Sequence, residues 1–383
     1  MNSRERILRV LAGLLPDRVP VSLYQIDPFD PASFWAQHPS CARLLESARQ
    51  LQDTFHFYQP KTGFFFSAPE SISLKVTETQ DTIISRTITL TVETQLGILT
   101  RTARKTNVSS VEWVQKPWIE KVSDIEKFLS LPYVPYRPDL TDFYQQQQQL
   151  GDKGIMVIRL PDPAGVVGTL FAPGDFARFA LDYPKLINQL LENVQERLLP
   201  LYSYLGTVLD NVIVRIRGSE YVTPPALPQE YFPDIKRIFN DYVIRYDRAL
   251  TDALRRAGNR IYICFHWHDF VESLVPLIMR IQPDIVEPIA NTQFSPNTVL
   301  KARRALGNNV VLMGGLTGEE LEFGDPGGIE PQVKDILLQG ARQGRFILIT
   351  CGVPTSVPLS SITEQNYLAF LMAGSRLGVY PLR

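Results

Sequence analysis

Ile261-Tyr262-Ile263-Cys264-Phe265-His266-Trp267-His268-Asp269 joins a short apolar run to two of the chain's four histidines. It reads as a β-strand ending at a polar rim. Side chains two apart in a strand share a face, so His266 and His268 are expected to point the same way. Apolar runs of the same kind recur at residues 155–160, 212–216, 284–287, 310–313 and 346–350, with helical stretches between them. Residues 18–24 and 55–58 supply two earlier strands, which makes eight. Short apolar strands alternating with helices imply a parallel sheet, and eight repeats imply closure into a (β/α)8 barrel. An open doubly wound sheet is the alternative, but no G-x-G-x-x-G follows the first strand.

The remaining segments fit around that frame. Asn2 followed by Glu5 resembles a capping box that opens an amphipathic helix through Ile7, Leu8, Leu11 and Leu15. Residues 31–52 are expected to be helical. Residues 71–113 carry alternating β-branched side chains, clearest from Ile83 to Val92, and predict an antiparallel β insertion within one barrel domain spanning 1–383. The glutamine run 145–149 is short enough to be a solvated helix surface.

The 383 residues suit one large barrel with insertions, and 44% hydrophobic content is ample for a core. Lys+Arg 39 against Asp+Glu 40 leaves no strong field to attract nucleic acid or an anionic membrane, so a small-molecule substrate is the expected partner. Three scattered cysteines, Cys41, Cys264 and Cys351, fit a reducing cytosol better than a disulfide framework. The N-terminal residues lack the apolar core of a signal peptide, and no apolar run approaches the roughly 20 residues of a membrane span. A cytoplasmic protein is expected.

Barrel enzymes place their chemistry on the loops that follow the strands. Here those positions hold Glu220 and Tyr221, His266 and His268, Glu287, Gly314-Gly315, and Cys351. Two imidazoles and a thiolate form a His2Cys set with one open position, the arrangement of a catalytic zinc. A strand-capping histidine pair and a buried cysteine acting as a small hydrophobe are the plainer alternatives. Glu220 and Glu287 are candidates for a fourth ligand or a proton relay, or for rim carboxylates paired with Arg215 or Arg217. Tyr221 stands beside Glu220 as a further catalytic candidate. The N–H groups of Gly314 and Gly315 are candidates for anion or cofactor binding, or for a tight turn. Cys264 shares parity with His266 and is expected to pack inside the barrel. Tyr24, Phe29, Trp35, Phe57 and Phe64-Phe65-Phe66 suggest an apolar lining at the mouth, although a core role is the simpler one for most.

On these residues the chain resembles the uroporphyrinogen decarboxylase superfamily. The resemblance rests on Arg4-Glu5-Arg6-Ile7-Leu8 through Val21, Asp182-Tyr183-Pro184-Lys185-Leu186, and Ala257-Gly258 leading to His266. Leu312-Met313-Gly314-Gly315 and Glu364-Gln365-Asn366 follow in the same order. It implies a (β/α)8 barrel with a deep C-terminal cleft. The decarboxylases' arginine-rich segment after the first strand is replaced here by Leu23-Tyr24-Gln25-Ile26-Asp27-Pro28-Phe29, and Thr54-Phe55-His56-Phe57-Tyr58 has no aspartate. A polycarboxylated tetrapyrrole would lose those charge partners.

The motifs are closest to the cobalamin-dependent methyltransferase branch, which binds zinc through H-x-C and a later cysteine. His266-x-His268 and Cys351 match with one Cys-to-His change. The resemblance implies a zinc-dependent methyltransferase working with a corrinoid and a corrinoid protein. A metal-free decarboxylase or lyase using His266 for acid–base chemistry on a carboxylated substrate is the alternative. A non-catalytic corrinoid- or tetrapyrrole-binding barrel is a third.

Overall fold

The computed structural model describes all residues except Pro224, Pro225, Pro228 and Asp269, together with the side chains of residues other than 230–232. Among the described residues, twelve strands run in chain order. They are β1 (Val21–Ser22), β2 (Thr54–Tyr58), β3 (Leu74–Thr82), β4 (Ser85–Thr94), β5 (Gly97–Thr106), β6 (Glu112–Lys116), β7 (Gly154–Pro161), β8 (Val212–Arg217), β9 (Ile261–His266), β10 (Ile285–Asn291), β11 (Val311–Leu316) and β12 (Phe346–Ile349). The expected (β/α)8 barrel is present: eight strands form one parallel sheet in the order β1-β12-β11-β10-β9-β8-β7-β2, with helices between them.

The seam between the first and last strands of that sheet is closed by Asp53. Its N–H donates to the Val21 carbonyl (2.7 Å), and its carboxylate accepts from the Val21 N–H (3.0 Å). The same carboxylate is fully buried and paired with Arg6 (2.5 Å) and Arg18 (2.7 Å), so its charge is compensated where it sits.

Strand parity divides the core in two. Phe55, Ile155, Val157, Ile213, Cys264, Ile285, Val311, Met313, Ile347 and Ile349 fill the barrel, and the alternate residues pack outward against the helices. Cys264 is thus packing, as its parity predicts. The N-terminal helix Ser3–Leu11 places Ile7, Val10 and Leu11 in the inner cluster and closes one end of the barrel. Asn2 caps that helix by accepting from the Glu5 N–H at 2.8 Å. With one end plugged, access is left at the other, where the strands terminate.

The insertion forms an antiparallel sheet in the order β3-β4-β5-β6, running from Leu74 to Lys116 against the expected 71–113. Val92 and Leu99 anchor it in the main core, while every residue of β3 is exposed. A bond from the Val357 N–H to the Val108 carbonyl (2.9 Å) ties it to the chain that follows β12. The expected helix over 31–52 begins only at Ala42, after two 3-10 turns, Trp35–Gln37 and Pro39–Cys41. Pro39 restricts the residue before it to extended backbone, and His38 has φ −110° and ψ 119°, so a continuous helix cannot form. Among the described residues no helix is long and apolar enough to cross a membrane.

Candidate active site

At the open end the interior row of side chains changes from aliphatic to charged. Arg159 and Arg215 are register partners on β7 and β8, two residues beyond Val157 and Ile213. His266 and Glu287 are partners on β9 and β10. Arg215, His266 and Glu287 are buried, with exposures of 1%, 6% and 1%. Arg215 Nε donates to Glu287 Oε1, and Arg215 Nη2 donates to the Tyr24 hydroxyl oxygen at 2.8 Å. His266 Nδ1 lies 2.9 Å from Glu287 Oε1 and 2.6 Å from Arg215 Nη2, while Nε2 lies 3.2 Å from the same Nη2.

One tautomer satisfies these contacts best. A carboxylate accepts only, so Nδ1–H donates to Glu287 and the Nε2 lone pair faces the Arg215 guanidinium. Burial and the Arg215 charge lower the His266 pKa, outweighing Glu287, and the imidazole is neutral at pH 7. Burial alone would raise the Glu287 carboxyl, but the Arg215 and His266 charges pull it down to about 2. Tyr24 oxygen also accepts from Gln25 Nε2 (2.8 Å), so its own proton is free to be given.

Of the expected site residues, His266 and His268 come together. His268 is exposed, and its ring stands 4.5 Å from that of His266, edge to face. The Cys351 thiol is partly buried, 3.8 Å from the Ile349 carbonyl, and burial pushes its pKa up to about 12. It is a thiol at neutral pH. Among the described residues no group of three or more His, Cys, Asp or Glu is arranged to hold a metal ion. His266, His268 and Cys351 therefore do not assemble the expected His2Cys set, and a cation on Nε2 of His266 would meet the Arg215 charge. Asp269, next in sequence, lies outside the described residues.

Glu287 is a buried ion-pair partner, the plainer of its two expectations. Glu220 Oε2 accepts from the Gly218 N–H (2.7 Å), and the Tyr221 ring packs over Gly168. Gly314 and Gly315 lie inside β11 instead of in a loop. A Cβ on Gly314 would come within 1.9 Å of the Ile289 carbonyl oxygen, and one on Gly315 within 2.4 Å of that of Ile349. Their small size serves close strand approach. Phe64, Phe65 and Phe66 do line a cavity at the mouth, whereas Trp35 is core.

Arg159 was not among the expected residues. Its signal was readable: a charge at inward parity within an otherwise apolar strand. A second missed feature lies behind the site. Asp162 follows β7 directly and accepts from the Gly165 N–H (2.6 Å), and Asp247 meets it from the helix Arg245–Arg255, both buried. Burial lifts both carboxyls well above the ordinary value of 3.8, and the Asp162 charge lifts Asp247 further, so the pair shares a proton. A folded-state pKa raised in this way favours folding at low pH and loses that contribution as pH rises above 3.8 toward the folded value. Asp247→Asn replaces the shared proton by an amide donor. It is expected to add about 1 kcal/mol at pH 8 and to flatten the stability difference between pH 5 and pH 8. Urea unfolding at both pH values checks this; an unchanged slope would show that no proton is shared.

Fold and mouth together define a (β/α)8 barrel with an ionic cluster buried at the C-terminal ends of its strands. Residues 235–365, about a third of the chain, match the uroporphyrinogen decarboxylase (URO-D) family model. Over those residues the chain is similar to that family. A methyltransferase from Methanosarcina mazei has the same fold, with 12% identity, a TM-score of 0.59, and coverage of 98% of this chain and 99% of that one. A mandelate racemase/muconate lactonizing enzyme from Jannaschia sp. CCS1 is far more distant, with 9% identity, 73% and 86% coverage, and a TM-score of 0.22. No curated protein sequence matches the chain.

Proposed function

We propose that this barrel is a metal-independent lyase of the decarboxylase class, acting on a carboxylated substrate at the Arg215–Glu287–His266–Tyr24 cluster. The observation that carries this reading is the neutral, buried imidazole fixed between a carboxylate and a guanidinium. Decarboxylation breaks the bond from carbon to the carboxylate, releases CO2 and leaves an electron pair that takes up one proton. Tyr24 can give that proton, and the neutral His266 imidazole is the base that takes a proton from solvent and restores the one Tyr24 has given. Arg215 supplies fixed positive charge against the developing anion without solvent reorganisation. Glu287 is a positioning residue: it holds the tautomer and compensates Arg215.

A second reading, zinc-dependent methyl transfer with a corrinoid, is favoured by one observation, the 4.5 Å approach of the His266 and His268 rings. It requires His266 to exchange its Arg215 contact for a metal, and Cys351 to lose its proton. Chelation followed by elemental analysis separates the two. The lyase reading expects CO2 release from carboxylated substrates to survive metal removal. Activity that disappears with stoichiometric zinc and returns with it would replace the first reading by the second.

A further inference from the structure

The ionic cluster leaves positive charge unspent. Among the described residues, Glu287 is the one carboxylate in ion-pair contact with Arg215, and neither Arg159 nor Arg217 has any. Arg215 Nη1 and Arg159 Nε are buried without a hydrogen-bond partner. Burial and the neighbouring charges of Arg215 and Arg217 lower the Arg159 pKa, the expected result of crowding cations together without an anion. The Glu220 carboxylate accepts from the Gly218 N–H.

Arg159 and Arg217 line a cavity of about 290 Å³ between the ends of β7 and β8 and the turn Phe64–Phe66. The other side of this cavity is apolar, formed by Phe64, Phe66 and Leu170, with Gln59 as a polar neighbour. Phe65 and Phe66 hold φ of 50° and 59°, a left-handed conformation that costs bulky side chains free energy. The buried Arg197 secures them from behind. It donates to the carbonyls of Phe65 (3.3 Å), Pro132 (3.1 Å) and Leu131 (2.7 Å), and its guanidinium lies 4.5 Å from the Phe65 ring centre. The chain thus holds two aromatic rings in a strained turn opposite two unpaired guanidiniums.

We propose that this cavity binds an organic carboxylate with a flat apolar body, its acid group on Arg159 and Arg217 and its body against Phe64, Phe66 and Leu170. A guanidinium fork matches a planar carboxylate with two parallel hydrogen bonds, and aromatic faces match a flat body. The inference rests on the lyase reading only in taking the barrel mouth as the substrate site, and it names that substrate's class.

Calorimetric titration of the full chain with 2-naphthoate tests it, with 2-naphthylmethanol and inorganic phosphate as comparators. The expected result is that 2-naphthoate binds and that Arg159→Met and Arg217→Met each weaken it about ten- to a hundredfold, the value of hydrogen bonds to a charged group. The alcohol should bind more weakly by a similar factor, and phosphate more weakly than the naphthoate. Arg217→Lys keeps the charge without the fork and should recover only part of the loss, which serves if Arg159→Met does not fold. Equal binding of acid and alcohol, tighter binding of phosphate, unaltered affinity in both methionine variants, or no binding of 2-naphthoate at millimolar concentration would each overturn the proposal. Naphthoate binding that depends on both arginines, in a protein that releases no CO2 from carboxylated substrates, would leave this site standing and remove the lyase reading.

Discussion

Replacing Glu287 by leucine is expected to lower the unfolding free energy by about 3–5 kcal/mol, because it strands the buried charge of Arg215. Both side chains are 2% exposed, and among the described residues Glu287 is the only carboxylate paired with Arg215. The Tyr24 hydroxyl and the neutral His266 imidazole, the other contacts of that guanidinium, compensate no charge. Glu287→Leu with Arg215→Met removes both ions, and the double variant is expected to recover most of the loss, since a hydrophobic pair can replace a buried ion pair. Urea denaturation of the four proteins in the cycle measures the coupling. A double variant no more stable than Glu287→Leu would show that the two charges do not compensate one another. The pH dependence follows with a definite sign. A carboxyl held at about 2 in the folded state against an ordinary 4.5 contributes stability above 4.5 and loses it as pH falls toward 2. Wild-type protein should therefore weaken across that window, and Glu287→Leu should do so less steeply.

His266→Gln is expected to reduce kcat/KM for CO2 release by about 10²–10⁴-fold, the usual contribution of a positioned acid–base group, without a comparable fall in stability. Glutamine keeps an amide able to donate to Glu287 but offers no basic nitrogen. The folded-state pKa of His266 lies below the ordinary 6.5, so the neutral base persists at pH 7 and is lost as pH falls below 6.5 through the folded value. The acid limb of the activity profile should lie in that lower range. Glu287→Gln removes the one neighbour that raises the His266 pKa most, and should move the limb to still lower pH, an effect that loss of packing alone would not produce. Unchanged kcat/KM in His266→Gln would end the assignment of His266 as base.

The sequence located the site more securely than it described its chemistry. Parity put His266 on the inner face of β9, and the ends-of-strands rule put Glu287, Tyr221 and Cys351 near the mouth. Parity did not continue to His268. The chain turns after His266, where the Ser219 hydroxyl binds the His266 carbonyl (2.9 Å) and the Trp267 N–H binds that of Glu287 (2.6 Å), and His268 ends exposed. Gly314-Gly315 read as a loop because glycine pairs mark turns, yet here they allow neighbouring strands to approach.

What the sequence determined by itself is periodic. The eight apolar strands, their helices and the alternating β insertion follow from spacing, because burial of one face imposes a repeat that any reader of residue types can see. The choice among partners for each polar side chain was decided only by the tertiary structure. Residues as distant in the chain as Tyr24, Arg215 and Glu287 meet because barrel closure brings their strands around one axis. That closure placed a guanidinium against His266, between it and Tyr24. Charge compensation in a buried space is a property of the assembled neighbours, and no local pattern encodes it.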